Sequence, residues 1–192
     1  FLYCNLVGAQ DELIFDGQSV AYDGKGNLIA QCKAFVEEIS MIDLDNQESL
    51  ELNVLKREEK IYNALVLGVK DYFKKTGHSE AVLGLSGGID SSLTACIAVD
   101  ALGKDNVHGV SMPSKYSSEH SKEDAKKLSD NLGIDYQVVS IESIVDSFEH
   151  SLKASYNGTE PGVAEENIQA RARGSIIMAL SNKFNWLVLS TG

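Results

Sequence analysis

The chain has 192 residues, of which 43% are hydrophobic and 23% are charged, a balance that excludes a largely disordered protein. This length suits one well-packed domain and is short for two complete ones. The formal net charge of −11 argues against a general nucleic-acid binder, because such proteins neutralise phosphates with a surplus of Lys and Arg. A small anionic ligand remains compatible with this charge, since a helix N-terminus and a few local cations can hold a phosphate.

The three cysteines, Cys4, Cys32 and Cys96, lie far apart and show no CxxC spacing. This pattern favours reduced thiols in a cytoplasmic protein and predicts neither a disulfide framework nor a metal site. No apolar run approaches the ~20 residues of a transmembrane helix. The first residues lack the features of a signal peptide, and we expect both ends of the chain to lie within a longer protein.

The N-terminal segment predicts short strands joined by turns. Residues 20–22 and 28–30 are apolar and flank the turn Asp23-Gly24-Lys25-Gly26-Asn27, a composition that predicts a β-hairpin. The acidic and polar stretch 43–53 is typical of a linker. We therefore predict a β-rich segment over 1–46 and a second domain over 47–192.

The pattern changes to helices and buried strands from about residue 56. Ile61, Leu65 and Val69 recur every four residues, with Tyr72 near the same face, which predicts an amphipathic helix that ends at Gly77. We then predict strands at 81–85, 107–112, 136–141 and 186–189, and helices at 91–101, 121–132, from about 142, and at 163–183. This alternation predicts an α/β fold with a Rossmann-like parallel sheet and helices on both faces. Ligands of such sheets bind beyond the carboxyl ends of the strands.

The strongest functional signal is the segment Gly84-Leu85-Ser86-Gly87-Gly88-Ile89-Asp90-Ser91-Ser92. It lies between a predicted strand and a predicted helix, which is the context of a phosphate-binding loop. Gly87 and Gly88 let the backbone approach an anion closely. Ser86, Ser91 and Ser92 offer hydroxyl groups beside the free N–H groups of the helix start. We therefore predict that this loop binds a polyphosphate.

Asp90 is unexpected in a phosphate loop, because a carboxylate repels a polyphosphate unless a cation lies between them. We therefore predict that Asp90 binds Mg²⁺, which takes a few carboxylate oxygens together with phosphate and water. The alternative is a glycine-rich turn in which Asp90 only caps the helix. Three serines and an acid in this context favour the phosphate loop over that alternative.

Two further segments lie where a ligand would meet the sheet. The first follows the second predicted strand and reads Met112-Pro113-Ser114-Lys115-Tyr116-Ser117-Ser118. Ser121 and Asp124 come next and predict a capping box at the start of a helix.

The second segment opens the last long helix and reads Glu165-Glu166-Asn167-Ile168-Gln169-Ala170-Arg171-Ala172-Arg173. Asn167 and Arg171 are four residues apart and share one helix face. The Arg side chain offers a flat fork of donors for phosphate or carboxylate. The alternative is a solvated face in which the arginines pair with Glu165 and Glu166.

The phosphate loop is neither a Walker A motif nor a dinucleotide GxGxxG motif. It resembles the Ser-Gly-Gly-x-Asp-Ser motif of the N-type ATP pyrophosphatases, which include NAD synthetase, GMP synthetase, asparagine synthetase and tRNA-modifying ligases. The resemblance implies a fold of the adenine nucleotide α-hydrolase type. It also implies that ATP is cleaved between its α and β phosphates while an acceptor oxygen becomes adenylated.

Together, the three segments resemble the glutamine-dependent NAD synthetases over essentially the whole chain. This resemblance implies that Asp90 binds Mg²⁺, that Asn167 and Arg171 hold deamido-NAD, and that Met112 and Pro113 border the adenine. The residues that it assigns to ATP are Gly84, Leu85, Ser86, Gly87, Gly88, Ile89, Asp90, Ser91 and Thr191.

Residues 5–19 resemble the carboxyl end of a nitrilase-type glutamine amidase domain. The Glu-Lys-Cys triad of that domain would lie before Phe1, and we interpret Cys4 and Cys32 as buried strand residues. The second metal-binding acid of the family would lie after Gly192. We therefore expect this chain alone to make little or no NAD from glutamine.

For the complete enzyme, the resemblance implies a ligase that converts deamido-NAD to NAD through an adenylated intermediate and releases AMP and pyrophosphate. Glutamine supplies the ammonia, ATP and Mg²⁺ are required, and a cytoplasmic homo-oligomer is expected, with no nucleic-acid or membrane partner. Two alternatives stay open: another ligase of the same group, such as a GMP-forming or tRNA-modifying enzyme, and a non-catalytic ATP-binding module.

Overall fold

The computed structural model describes residues 1–44, 48–115, 117–160 and 162–191. The chain forms two compact units, Phe1–Thr76 and Gly77–Gly192. The predicted division at 46–47 lies outside the described residues, and the assignment of 1–46 to an amidase-like segment stays a prediction.

In its described residues, the first unit contains β1 (Leu2–Tyr3), β2 (Val7–Gln10), β3 (Leu13–Asp16), β4 (Val20–Tyr22), β5 (Leu28–Gln31) and α1 (Arg57–Thr76). The strands form two small antiparallel sheets, of orders β1-β4-β5 and β2-β3. The predicted hairpin is confirmed as β4 and β5. Its turn is held by Asp23, whose carboxylate accepts hydrogen bonds from the backbone N–H groups of Lys25 and Asn27, both at 2.8 Å. Cys4 is exposed, Cys32 is half-buried and neither lies in a strand, so their interpretation as buried strand residues is wrong.

Helix α1 is confirmed, and it ends before Gly77, which has a φ of 75°. The predicted apolar stripe is only partly right, because Ile61, Leu65 and Tyr72 remain 50%, 43% and 59% exposed. The one buried side chain along the helix is Phe73. The helix packs on the β2–β3 hairpin with a different face, and that face carries charged residues as well as apolar ones.

Charged residues of α1 bind the outer edge of β2. Asp71 Oδ2 accepts a hydrogen bond from the Ala9 N–H at 2.8 Å, and Lys75 Nζ donates to the Ala9 carbonyl. The unpaired donor and acceptor of one strand residue are therefore both satisfied by side chains four residues apart on one helix face.

The second unit contains, in its described residues, β6 (Ala81–Gly84), α2 (Ile89–Leu102), a 3₁₀ turn (Lys104–Asn106), β7 (Val107–Ser111), α3 (Glu119–Leu132), β8 (Asp135–Val138), α4 (Glu142–Leu152), α5 (Val163–Phe184) and β9 (Leu187–Leu189). The strands form a four-stranded parallel sheet of order β8-β7-β6-β9. The chain runs outward from β6 to β8 and then returns to the other side of β6. The strand order therefore reverses between β6 and β9, which is the switch point of a Rossmann-like sheet. None of the helices in the described ranges combines the length and the apolarity that crossing a bilayer requires.

Both faces of this sheet are covered, as the sequence predicts. Along β6, Leu83 packs with α2 and α3 in one apolar cluster, while Val82 packs with Ile177 of α5 in another. Adjacent strand residues point to opposite faces, so these two clusters lie on the two sides of the sheet. Packing of the helices on the two faces of the sheet therefore fixes the positions of the helix N-termini relative to the carboxyl ends of the strands.

At the amino edge of the sheet, each strand contributes one residue, from the strand or next to it, to a single network of contacts. His108 is buried, and its two ring nitrogens lie 2.8 Å from Glu80 Oε2 and 3.1 Å from Asp135 Oδ2. Its ring stacks on Trp186 with a centroid distance of 3.7 Å. Trp186 Nε1 in turn donates a hydrogen bond to Glu80 Oε2 at 3.0 Å.

Candidate functional site

A cavity of about 600 Å³ opens at the carboxyl edge of the parallel sheet. Gly84 and Leu85 at the end of β6, Ser111 and Met112 at the end of β7, and Thr191 after β9 contribute to its wall. The cavity therefore lies at the switch point, where sheets of this kind bind their ligands.

The predicted phosphate loop leaves β6 at this point and is held by its own serines. Leu85 N donates to the Val110 carbonyl at 2.8 Å, which keeps the start of the loop in register with β7. The hydroxyl oxygens of Ser86 and Ser91 lie 3.1 Å apart, and Ser86 Oγ accepts a hydrogen bond from Gly88 N at 3.2 Å. Ser91 Oγ donates to the Gly88 carbonyl at 3.0 Å. The serines thus fix the shape of the turn that precedes α2.

Gly87 has a structural reason to be glycine. Its φ is +78°, and a Cβ on this residue would stand 2.4 Å from the carbonyl oxygen of Ser121. The sequence predicts that this glycine lets the backbone approach an anion, whereas the structure shows that it lets the loop approach the first turn of α3. The loop and the start of α3 are therefore packed together backbone to backbone.

Asp90 lies in the first turn of α2 with its side chain exposed. The cap of that helix is Gly88, without a side-chain hydrogen bond, so the alternative in which Asp90 only caps the helix is wrong. In the described ranges, no group of three or more His, Cys, Asp or Glu side chains is arranged to hold a metal ion. A lone carboxylate beside a phosphate loop still fits Mg²⁺, because that ion completes its shell with phosphate oxygens and water.

Helix α3 supplies a second helix start to the cavity. Its cap is Ser118, whose Oγ accepts a hydrogen bond from Ser121 N at 3.2 Å, so the predicted capping box that begins at Ser121 is wrong. Because the hydroxyl of Ser118 caps the free N–H groups of the first turn, α3 begins at Glu119, two residues before the predicted start at 121. As a result Ser117, Ser118, Ser121 and Lys122 all line the cavity. Lys122 Nζ is 2.8 Å from Glu119 Oε1.

Arg173 brings a cation to the cavity from α5. Its side chain is half-buried, and its Nε donates a hydrogen bond to the Met112 carbonyl at 3.1 Å. Arg173 also lines an adjoining pocket of about 280 Å³ whose wall includes Ile177 and Val188. In the part of the chain that the structure describes, no ion pair joins Arg171 or Arg173 to an acid.

Glu165, at the start of α5, is engaged elsewhere. Its Oε2 accepts a hydrogen bond from Gly162 N at 2.6 Å, and this bond lowers the pKa of the Glu165 carboxyl. The interpretation in which Glu165 pairs with the arginines is therefore not what the structure shows.

The predicted site residues fall into three groups. The cavity wall contains Gly84, Leu85, Ser86, Ser91, Met112, Pro113 and Thr191. Gly87 and Gly88 of the turn, and Ile89 and Asp90 at the start of α2, do not belong to that wall. Asn167 and Arg171 are exposed on α5 and do not line it either, so their role with deamido-NAD stays a prediction. Tyr116 and Gly192 lie outside the described residues.

Sequence reasoning assigned no ligand role to several cavity residues: Arg173, Ser117 and Ser118 lie in the two segments that it placed near the ligand, whereas Ser111, Ser121 and Lys122 do not. One signal was present for Arg173: it precedes the apolar Ile177 by four residues and so shares the face of α5 that packs on the sheet. Lys122 offered no comparable signal in the sequence.

A Rossmann-like parallel sheet, with a glycine- and serine-rich loop at its switch point and two helix starts that meet at one cavity, defines an α/β protein of the class whose ligand site lies at this edge. A sequence model of the NAD synthase family matches residues 61–192. The chain therefore belongs to the NAD synthase family.

Individual relatives agree with this membership. The chain is 44% identical to the glutamine-dependent NAD(+) synthetase of Thermotoga maritima, over 99% of this chain and 39% of that protein. Its structure is similar to that of the glutamine-dependent NAD⁺ synthetase from Acinetobacter baumannii in complex with ADP, with a TM-score of 0.93 and 42% identity over 100% of this chain and 37% of that one. It is also similar to an NH₃-dependent NAD synthetase from Campylobacter jejuni, with a TM-score of 0.64 and 33% identity over 72% of this chain and 58% of that one. The chain spans less than half the length of such curated relatives, namely 39%, 35% and 40% of three of them.

Proposed function

We propose that this chain forms the ATP-binding region of a glutamine-dependent NAD synthetase, a ligase that converts deamido-NAD to NAD. The observation that carries the proposal is the cavity at the switch point, which is bordered by the phosphate loop on one side and by Arg173 on the other. Family membership and the relatives named above support it.

The proposed reaction has two steps. An oxygen of the nicotinate carboxylate attacks the α-phosphorus of ATP, the bond from that phosphorus to the bridging oxygen breaks, and pyrophosphate leaves with the electron pair. The nitrogen of ammonia then attacks the activated carbonyl carbon, the carbon–oxygen bond to AMP breaks, and the amide forms with loss of a proton to solvent. The protein supplies position and charge, and no protein nucleophile is needed.

The phosphate loop and the start of α2 would hold the ATP phosphates, with Thr191 as a further contact. Asp90 would hold Mg²⁺, which neutralises charge on the pyrophosphate when it is bound. Asn167 and Arg171 would contact deamido-NAD, and Met112 and Pro113 would border the adenine.

The local charge of the cavity suits this ligand despite the net charge of −11. The helices α2 and α3 both begin at the cavity, and each helix start carries roughly half a positive charge. Arg173 adds a cation to the wall, and Lys122 adds a second one that is paired with Glu119. An anion is thus favoured at one edge of an otherwise acidic protein.

The test is release of pyrophosphate and formation of NAD by the full-length protein, with ATP and Mg²⁺ present. We expect release to require deamido-NAD, and ammonium to replace glutamine as the nitrogen source. Release that proceeds equally with xanthosine monophosphate or a tRNA would assign the chain to another ligase of the group. ATP binding without any acceptor-dependent release would make it a non-catalytic module.

We also propose that the protein acts in the cytoplasm as a homo-oligomer and that residues 1–46 end an amidase-like domain. The widely spaced free cysteines support a reducing compartment. Light scattering on the full-length protein measures its mass, and a monomer at micromolar concentration would contradict the proposed assembly.

A further inference from the structure

Arg173 is held in place, but it has no anionic partner among the described residues. Its Nε is fixed by the hydrogen bond to the Met112 carbonyl at 3.1 Å, which leaves the terminal N–H groups of the guanidinium for another ligand. In the ranges that the structure describes, no carboxylate pairs with this half-buried side chain. Taking a cation out of water without a counter-charge is unfavourable. The geometry therefore indicates an anion in the cavity next to Arg173.

Arg173 reaches the cavity from the opposite face of the sheet to the phosphate loop. The loop leads into α2, which packs with Leu83 and Leu85 on one face. Arg173 lies on α5, whose Ile177 packs with Val82 on the other face. A nucleotide that spans the switch point would therefore meet the loop with one part and Arg173 with another.

The position of Arg173 along α5 also relates it to the second substrate. Asn167 and Arg171, the proposed contacts of deamido-NAD, precede it on the same helix. Arg173 is the α5 residue nearest to them in sequence that lines the cavity. Arg171 and Arg173 point about 200° apart around the helix, so Arg173 reaches the cavity while Arg171 is exposed.

We propose that Arg173 is a catalytic residue that binds the α-phosphate of ATP, the group that the nicotinate carboxylate attacks. This inference rests on the proposed function. During the attack, the Arg173 N–H groups hold the non-bridging oxygens of the α-phosphate, while the loop holds the β and γ phosphates that leave as pyrophosphate. No proton moves to or from Arg173, since a guanidinium stays protonated.

The proposal predicts that affinity for AMP depends on Arg173, whereas affinity for pyrophosphate does not. We would titrate the full-length protein and its Arg173→Gln variant with AMP, pyrophosphate and ATP by calorimetry in the presence of Mg²⁺. We expect AMP affinity to fall roughly 10- to 100-fold, as for the loss of a charge-assisted hydrogen-bond pair. Pyrophosphate affinity should change by less than about twofold. Retained binding of pyrophosphate also shows that the variant is folded.

Two further variants complete the test. Arg173→Lys keeps the charge without the planar fork, so we expect an AMP affinity between those of the wild type and Arg173→Gln. Lys183→Gln removes an exposed cation at the far end of α5 and controls for net charge, so we expect no change.

The outcomes separate this inference from the proposed function. Wild-type affinity for AMP in Arg173→Gln would overturn the inference alone, and so would equal losses for AMP and pyrophosphate. Failure of the wild type to bind ATP would overturn the proposed function and the inference together. A selective loss for AMP, with a lower kcat for acceptor-dependent pyrophosphate release, supports the inference.

Discussion

Gly87 of the phosphate loop and Ser121 of α3 approach so closely that a Cβ on Gly87 would stand 2.4 Å from the Ser121 carbonyl oxygen. No side chain can be added there unless the backbone of one element moves. This contact therefore fixes the distance between the N-termini of α2 and α3, which both border the cavity.

The first prediction concerns Gly87→Ala. We expect it to reduce the free energy of unfolding by more than the ~1–2 kcal/mol of a left-handed alanine alone, because the Ser121 backbone must also shift. We also expect ATP affinity to fall, since the loop leaves its position. Urea denaturation and calorimetry measure the two effects. Gly133→Ala is the matched control, because Gly133 is left-handed at φ 67° but has only ordinary contacts with Lys104. Equal destabilisation by the two variants would show that the Ser121 contact is unimportant.

The second prediction concerns Asp90→Asn. Because the Asp90 side chain is exposed, the free energy of unfolding should change by less than about 0.5 kcal/mol. ATP affinity should lose its dependence on Mg²⁺ concentration, which a titration at several metal concentrations measures. Asp105→Asn removes the same charge near the opposite edge of the sheet, just before β7, and should keep that dependence. Equal Mg²⁺ dependence in wild type and Asp90→Asn would contradict the assignment.

The third prediction concerns His108. We expect His108→Ala to lower the free energy of unfolding by about 2–3 kcal/mol, because the stack on Trp186 and the contacts to Glu80 and Asp135 are lost together. His108→Phe keeps a stacked ring, so it should lower the free energy of unfolding by only about 1 kcal/mol. ATP affinity should be unchanged in both, since His108 lies at the amino edge and the cavity at the carboxyl edge. A fall in ATP affinity without unfolding would contradict this separation.

The fourth prediction concerns the pH dependence of the first turn of α5. The hydrogen bond from Gly162 N lowers the pKa of Glu165 in the folded chain. A depressed pKa means that the stabilisation is complete above the unfolded value of about 4.3 and is lost as pH falls through the folded value. The protection factor of the Gly162 amide, which is its exchange rate relative to the intrinsic rate at the same pH, should therefore be high at neutral pH and fall as the pH drops through the lowered pKa of Glu165. Glu165→Gln keeps an acceptor oxygen but cannot ionise, so the protection factor in that variant should not change with pH. A fall of the same size in both would exclude Glu165 as its cause.

Much of the second unit was predictable because its signals are local. The apolar runs that became β6 and β7 stand between breakers, and the loop after β6 carries its own glycines and serines. Alternation of such runs with helical patterns is enough to predict a parallel sheet. The strand at 136–141 was predicted too long, since β8 ends at Val138 and Ile141 already begins the next helix.

The missed features depend on distant parts of the chain. Arg173 lines the cavity together with Thr191, which follows β9, and alternation alone does not specify that β9 lies beside β6. The stripe of Ile61 and Leu65 obeys helical periodicity, yet α1 uses another face for the hairpin that it packs on. Periodicity indicates that one face is apolar, whereas tertiary contacts decide which face is covered.

The hydrogen bonds that link the backbone of Ala9 to the side chains of Asp71 and Lys75 affect how readily the protein aggregates. A free strand edge is a template on which another chain can add by main-chain pairing. At Ala9 a carboxylate already takes the place of the incoming carbonyl, and an ammonium takes the place of the incoming amide. Helix α1 thereby blocks the edge of β2 at Ala9 and disfavours the addition of a strand from another molecule there.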